Sequence, residues 1–105
     1  MEITFEKEYL SDLYYKGKCS DKKHFFQPQI IKRYIRVIDI LQAAERVEDL
    51  FPFHSLNYEV LKGDKNGRES VRVNDQYRVE FKTERVVNDT VITVCNILEL
   101  SNHYK

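Results

Sequence analysis

The chain has 105 residues, with 17 Lys and Arg balanced by 17 Asp and Glu, 42% hydrophobic residues, three Gly and two Pro. That length suits one domain, residues 1–105, which removes roughly two thirds of its unfolded surface from water; its core needs no metal or disulfide, and a second folded domain is excluded. The apolar content excludes intrinsic disorder, and 32% charged residues exclude a membrane protein.

Ile3 and Phe5 alternate with Glu2, Thr4 and Glu6, as in a short strand with one buried face. Nothing in Met1 to Leu10 reads as a signal peptide or a spanning helix, so the expected address is the cytoplasm. Leu10, Leu13 and Tyr14 have helical spacing up to Gly17, which suits the residue just past a helix end. After a polar connector, Lys18 to Gln27, Pro28 opens a long helix to about Ala44. Its apolar Ile31, Tyr34, Ile35, Ile38 and Leu41 lie opposite Lys32, Arg33 and Arg36. Leu50, Phe51 and Phe53, in a connector with Pro52, are expected to cover one end of the core.

From Tyr58 the period changes to two. Tyr58 and Val60, Val71 and Val73, and Tyr77, Val79 and Phe81 read as strands, with both tyrosines assigned to the core. Val91 to Leu100 is apolar at nearly every position, as expected of a strand covered on both sides. The order predicts an α+β domain: an N-terminal strand and two helices packed on a four- or five-stranded, mainly antiparallel sheet.

Cys19 and Cys95 lie far apart and outside any metal-ligand spacing, so they read as small apolar groups; no metal or cofactor is expected. Asn88-Asp89-Thr90 matches a glycosylation sequon by chance in a turn. His24 and His54 read as connector residues rather than site residues.

Zero net charge argues against indiscriminate polyanion binding, but the charges are segregated. Residues 16–36 carry +6 and 60–85 carry +2, against −3 in 1–15, −4 in 37–59 and −1 in 86–105. The basic stretches are either solvated faces or contacts for an anionic partner.

Pairing rules sharpen the second stretch. A two-residue turn at Asn74 and Asp75 mixes buried with exposed positions. A three-residue loop, Asn74 to Gln76, opposes Val73 to Tyr77, Val71 to Val79, Ser70 to Glu80 and Arg72 to Arg78, and so segregates the faces. Two like charges directly opposite each other destabilise by a few tenths of a kcal/mol or more, so folding does not ask for Arg72 beside Arg78. Either Glu80 or Glu69 splits the pair, or the two guanidinium forks form a clamp for phosphate.

The run Leu61-Lys62-Gly63-Asp64-Lys65-Asn66-Gly67-Arg68-Glu69-Ser70-Val71-Arg72-Val73-Asn74-Asp75-Gln76-Tyr77-Arg78-Val79-Glu80-Phe81 resembles the diagnostic segment of HigB-type toxins, in the RelE/ParE superfamily of bacterial type II toxin-antitoxin systems. The helix from Gln27 and Pro28, the Val47 to Leu50 segment and the terminal Ser101-Asn102-His103-Tyr104 resemble the same family. The resemblance implies a ribosome-dependent mRNA endonuclease acting on mRNA in the ribosomal A site. It also implies neutralisation by a HigA-like helix-turn-helix antitoxin, through which the toxin contacts operator DNA indirectly. The alternatives on the same fold are a ParE-like gyrase inhibitor and an inactive homologue serving as antitoxin partner.

Carried over by position, the resemblance implies catalytic roles for Lys62, Arg72, Arg78, His103 and Tyr104, and phosphate or RNA contacts for Lys65, Arg68, Lys82 and Asn102. Lys62 either binds phosphate or, if buried among cations, carries a proton. His103 has the side chain whose ordinary pKa lies nearest neutrality, and Tyr104 can stack on a base. The family's tail is often Asp-Tyr-His, whereas this chain has Asn102-His103-Tyr104, so an acid is missing.

Overall fold

A computed structural model describes residues 1–102 of the 105. Its order is β1 (Glu2–Phe5), α1 (Glu8–Lys16), α2 (Pro28–Ala43), β2 (Glu59–Val60), β3 (Glu69–Arg72), β4 (Tyr77–Val87) and β5 (Val91–Asn102), with single 3-10 turns in the connectors. The sheet runs β1-β5-β4-β3-β2. All neighbours are antiparallel except β1, which lies parallel to β5 with Ile3 beside Cys95 and Phe5 beside Ile97. A parallel neighbour needs a crossover, and the two helices supply it while covering one face of the sheet.

Local chemistry ends the helices where periodicity predicts. Gly17 takes the left-handed conformation at φ 72° and donates its N–H to the Leu13 carbonyl, closing α1. Pro28 stands in the first turn of α2, where its missing N–H costs nothing. The apolar stripes of α1 (Tyr9, Leu10, Leu13) and α2 (Ile30, Tyr34, Val37, Ile38, Leu41) meet Val71, Val79, Phe81, Cys95, Ile97 and Leu100 of the sheet. Tyr34 is fully buried, and its hydroxyl donates to the Leu10 carbonyl at 2.8 Å, so the polar end of this ring locks α2 to α1. Burial also pushes the Cys95 thiol up to about 12, which keeps it an inert core group.

Two expectations are corrected. β5 is not covered on both sides along its length: Val91 and Ile92, with Val86 and Val87 of β4, are exposed, because the β4–β5 ribbon runs past the ends of β1 and β3. Phe51 and Phe53 are about half exposed and only Leu50 of that connector is buried. Val60 lies in a strand, as its spacing predicts, and is exposed on the two-residue edge strand β2. Both tyrosines are half-buried against the core, Tyr58 near Phe81 and Tyr77 edge-on to Phe26. Among the described residues no helix is long and apolar enough to cross a membrane.

Candidate nucleic-acid interface

The hairpin register is the three-residue-loop one: Val71 opposes Val79, Ser70 opposes Glu80, Arg72 opposes Arg78, and the Val73 N–H donates to the Tyr77 carbonyl at 2.9 Å. Beyond it, β5 sets Ser101 against Arg78 and Glu99 against Glu80. Because directly opposed residues share a side, Ser70, Arg72, Arg78, Glu80, Glu99 and Ser101 form one polar face, away from the helices. At the irregularity between Glu80 and Phe81 the extra residue is on β5, where Glu99 pairs with Glu80 and Ile97 with Phe81, so that Leu98 between them lets Glu99 lie on the polar face and Ile97 in the core.

The arginine pair is split, though by neither Glu80 nor Glu69. Arg72 pairs with Asp75 in the hairpin loop. Arg78, only 5% exposed, donates to Glu59 on the edge strand at 2.5 Å and to the Ser70 hydroxyl at 3.1 Å. Glu69 faces the other side, accepting from the Tyr58 hydroxyl and from Thr83. The two forks are therefore not equivalent: Arg72 is half exposed, and Arg78 is a buried guanidinium locked to a carboxylate.

Glu80 serves a second pair of cations. Its carboxylate accepts from Lys65 Nζ at 2.6 Å and from Arg68 at 2.9 Å, and Arg68 also reaches Glu99 at 3.4 Å. Burial alone raises the Glu80 pKa, but hydrogen bonds from Lys65, Ser101 and Arg68 outweigh it and hold the carboxyl below its ordinary 4.5. A depressed folded-state pKa stabilises the fold above the ordinary value and withdraws that stability as pH falls below it. Urea unfolding is therefore expected to show stability dropping below about pH 4.5. In Glu80→Gln that acid limb should be shallower; an unchanged slope would mean that other carboxylates carry it.

Of the remaining residues implicated by sequence, Lys62 is exposed before the Gly63–Lys65 turn, so the burial needed for a proton-carrying lysine is absent. Lys82 is exposed one position beyond Phe81, paired with Asn96. Asn102 ends β5 opposite Tyr77. His103 and Tyr104 lie outside the described residues. The structure thus brings Lys65, Arg68, Arg72 and Arg78 onto or beside one face, adds Glu59 and Ser101, which sequence reasoning missed as partners, and turns Glu80, expected beside the arginine pair, to Lys65 and Arg68 instead.

The family described as RelE-like toxin of the type II toxin-antitoxin system HigB matches residues 3–94. Toxin HigB-1 of Vibrio cholerae is 34% identical over 83 residues, 78% of this chain and 83% of that protein. Among solved structures, a YoeB/ParE toxin from Agrobacterium tumefaciens superposes with a TM-score of 0.57 at 18% identity, covering 99% of this chain and all of the other. The YoeB-YefM complex from Staphylococcus aureus contains a chain that matches at 0.53 and 21%, covering 99% and 98%. These two likenesses are of fold.

Proposed function

Because this chain belongs to the HigB-like toxins, the RelE-like toxins of type II toxin-antitoxin systems, we propose that it is a ribosome-dependent mRNA endonuclease silenced by a HigA-like helix-turn-helix antitoxin. The observation that carries this reading is the polar sheet face, where Arg78 is held rigidly by Glu59 and Ser70 while Arg72, Lys65 and Arg68 keep partly exposed heads around it. A surface of mobile lysines would bind RNA; a rigid set of guanidinium groups can stabilise charge that appears only in a transition state.

In this reading the substrate's 2′-hydroxyl attacks the adjacent phosphorus and the 5′-oxygen leaves. Glu59, half exposed and hydrogen-bonded to Arg78, accepts the 2′-hydroxyl proton, while Arg78 fixes its orientation and faces the phosphorane charge. Arg72 and Lys62 hold the phosphate from the hairpin and loop sides. His103 protonates the leaving oxygen and Tyr104 stacks on a base, roles that the resemblance of the tail supports. The cations are largely matched by Glu59, Asp75, Glu80 and Glu99, so free RNA binds weakly and the ribosome must present the strand.

Induction of the chain without antitoxin is expected to arrest growth and to create new 5′ ends inside translated reading frames, absent from untranslated transcripts. Arrest with intact transcripts and cleaved DNA would overturn the nuclease reading in favour of gyrase poisoning.

A further inference from the structure

We infer that Glu80 is a positioning residue of this site, which holds Lys65 and Arg68 from beneath as a pre-set pair of donors for the RNA phosphodiester next to the scissile one. The inference rests on the nuclease reading and concerns a carboxylate to which the family resemblance assigns no role.

Each Glu80 oxygen serves a different cation, Oε2 taking Lys65 Nζ at 2.6 Å and Oε1 taking Arg68 at 2.9 Å, so the carboxylate fixes the spacing between them. Its own side chain is 4% exposed, whereas those of Lys65 and Arg68 are 45% and 32% exposed. An ammonium has three donors and a guanidinium five, so donors remain on the solvent side for a phosphate while the acid beneath is out of reach. The carrier loop is closed on itself: Leu61 donates to the Arg68 carbonyl at 2.8 Å and Arg68 to the Lys65 carbonyl at 3.0 Å. Gly63 and Gly67 turn it at positive φ. Its ion pairs to the sheet, among the described residues, run to Glu80 and, more loosely, to Glu99.

Stability gives a weak reason for this arrangement, since a buried ion pair is often matched or bettered by apolar side chains of the same size. Preorganisation gives a stronger one: flexible cations fixed before the substrate arrives need not be ordered during reaction.

The test is single-turnover cleavage of ribosome-bound mRNA by the full chain and by E80Q, E80D, K65Q/R68Q and the triple variant. E80Q is expected to lower the rate constant at saturation by at least about tenfold, with half-saturation unchanged or lower because the released cations still attract RNA. E80D should recover part of the loss, and E80Q should cost nothing further on the K65Q/R68Q background. A wild-type rate constant in folded E80Q, or an equal loss on both backgrounds, overturns the inference. If E80Q does not fold, E80D replaces it in the same cycle. An uncut message with the wild-type chain defeats the nuclease reading instead. The Arg68 Nε–H resonance then decides the inference alone: it must be sharp and shift with a 2′-O-methyl RNA oligonucleotide in the wild type and broaden in E80Q, and no shift overturns it.

Discussion

Arg78→Ala is expected to lower mRNA cleavage by about 10²- to 10³-fold, the effect typical of removing one fixed donor aimed at developing charge. The side chain is 5% exposed and bonded to Glu59 and Ser70, so the truncation also leaves those groups without their partner and costs about 1–3 kcal/mol of stability. Activity and folding losses would then be mixed. Arg78→Lys separates them, because it keeps the charge but cannot present a planar fork to both partners and a phosphate at once. A folded Arg78→Lys that cuts translated mRNA at the wild-type rate would remove Arg78 from the mechanism. Arg72 offers a cleaner contrast: its partner Asp75 is 92% exposed, so the pair contributes at most about 1 kcal/mol and Arg72→Ala should leave the fold intact.

Phe81→Ala should be the most damaging single change to the fold, at about 3–5 kcal/mol. The ring is fully buried where β4 opposes both Ile97 of β5 and Glu69 of β3, and it lies 6.4 Å from the Tyr58 ring. A domain of this size has only about 5–15 kcal/mol of total stability. The loss should appear as a large fall in the urea midpoint, and it should take the site with it because Glu80 is the next residue in the strand. Val87→Ala, at a 70% exposed position on the hairpin, should change stability by less than about 0.5 kcal/mol. Equal midpoints for the two variants would contradict the packing of β4 against the helices.

Which parts were legible in advance follows from how local their causes are. The stripe of α2, the glycine that closes α1 and the register of Arg72 with Arg78 depend on residues within a few positions of one another, and periodicity carries them. The exposed Val86, Val87, Val91 and Ile92 misled for the same reason: apolar composition does not say whether a strand runs past its neighbours. The site partners were harder. Glu59 lies 19 positions before Arg78, and Lys65 lies 15 before Glu80, so nothing in local spacing joins either pair.

The sequence by itself determined the α+β class, both helices, the hairpin register and, through the Leu61 to Phe81 run, the toxin family. Those properties are written in periodicity, turn chemistry and a contiguous motif. Only the tertiary structure decided which carboxylate neutralises which cation, and so which guanidinium groups are buried and which donors stay exposed to solvent. The physical reason is that charge pairing depends on distances of a few ångströms between segments that are far apart along the chain. Within the balance of 17 charges of each sign, Lys65, Arg68, Arg72 and Arg78 are matched to Glu59, Asp75, Glu80 and Glu99 in specific pairs that the fold assembles on or beside one sheet face.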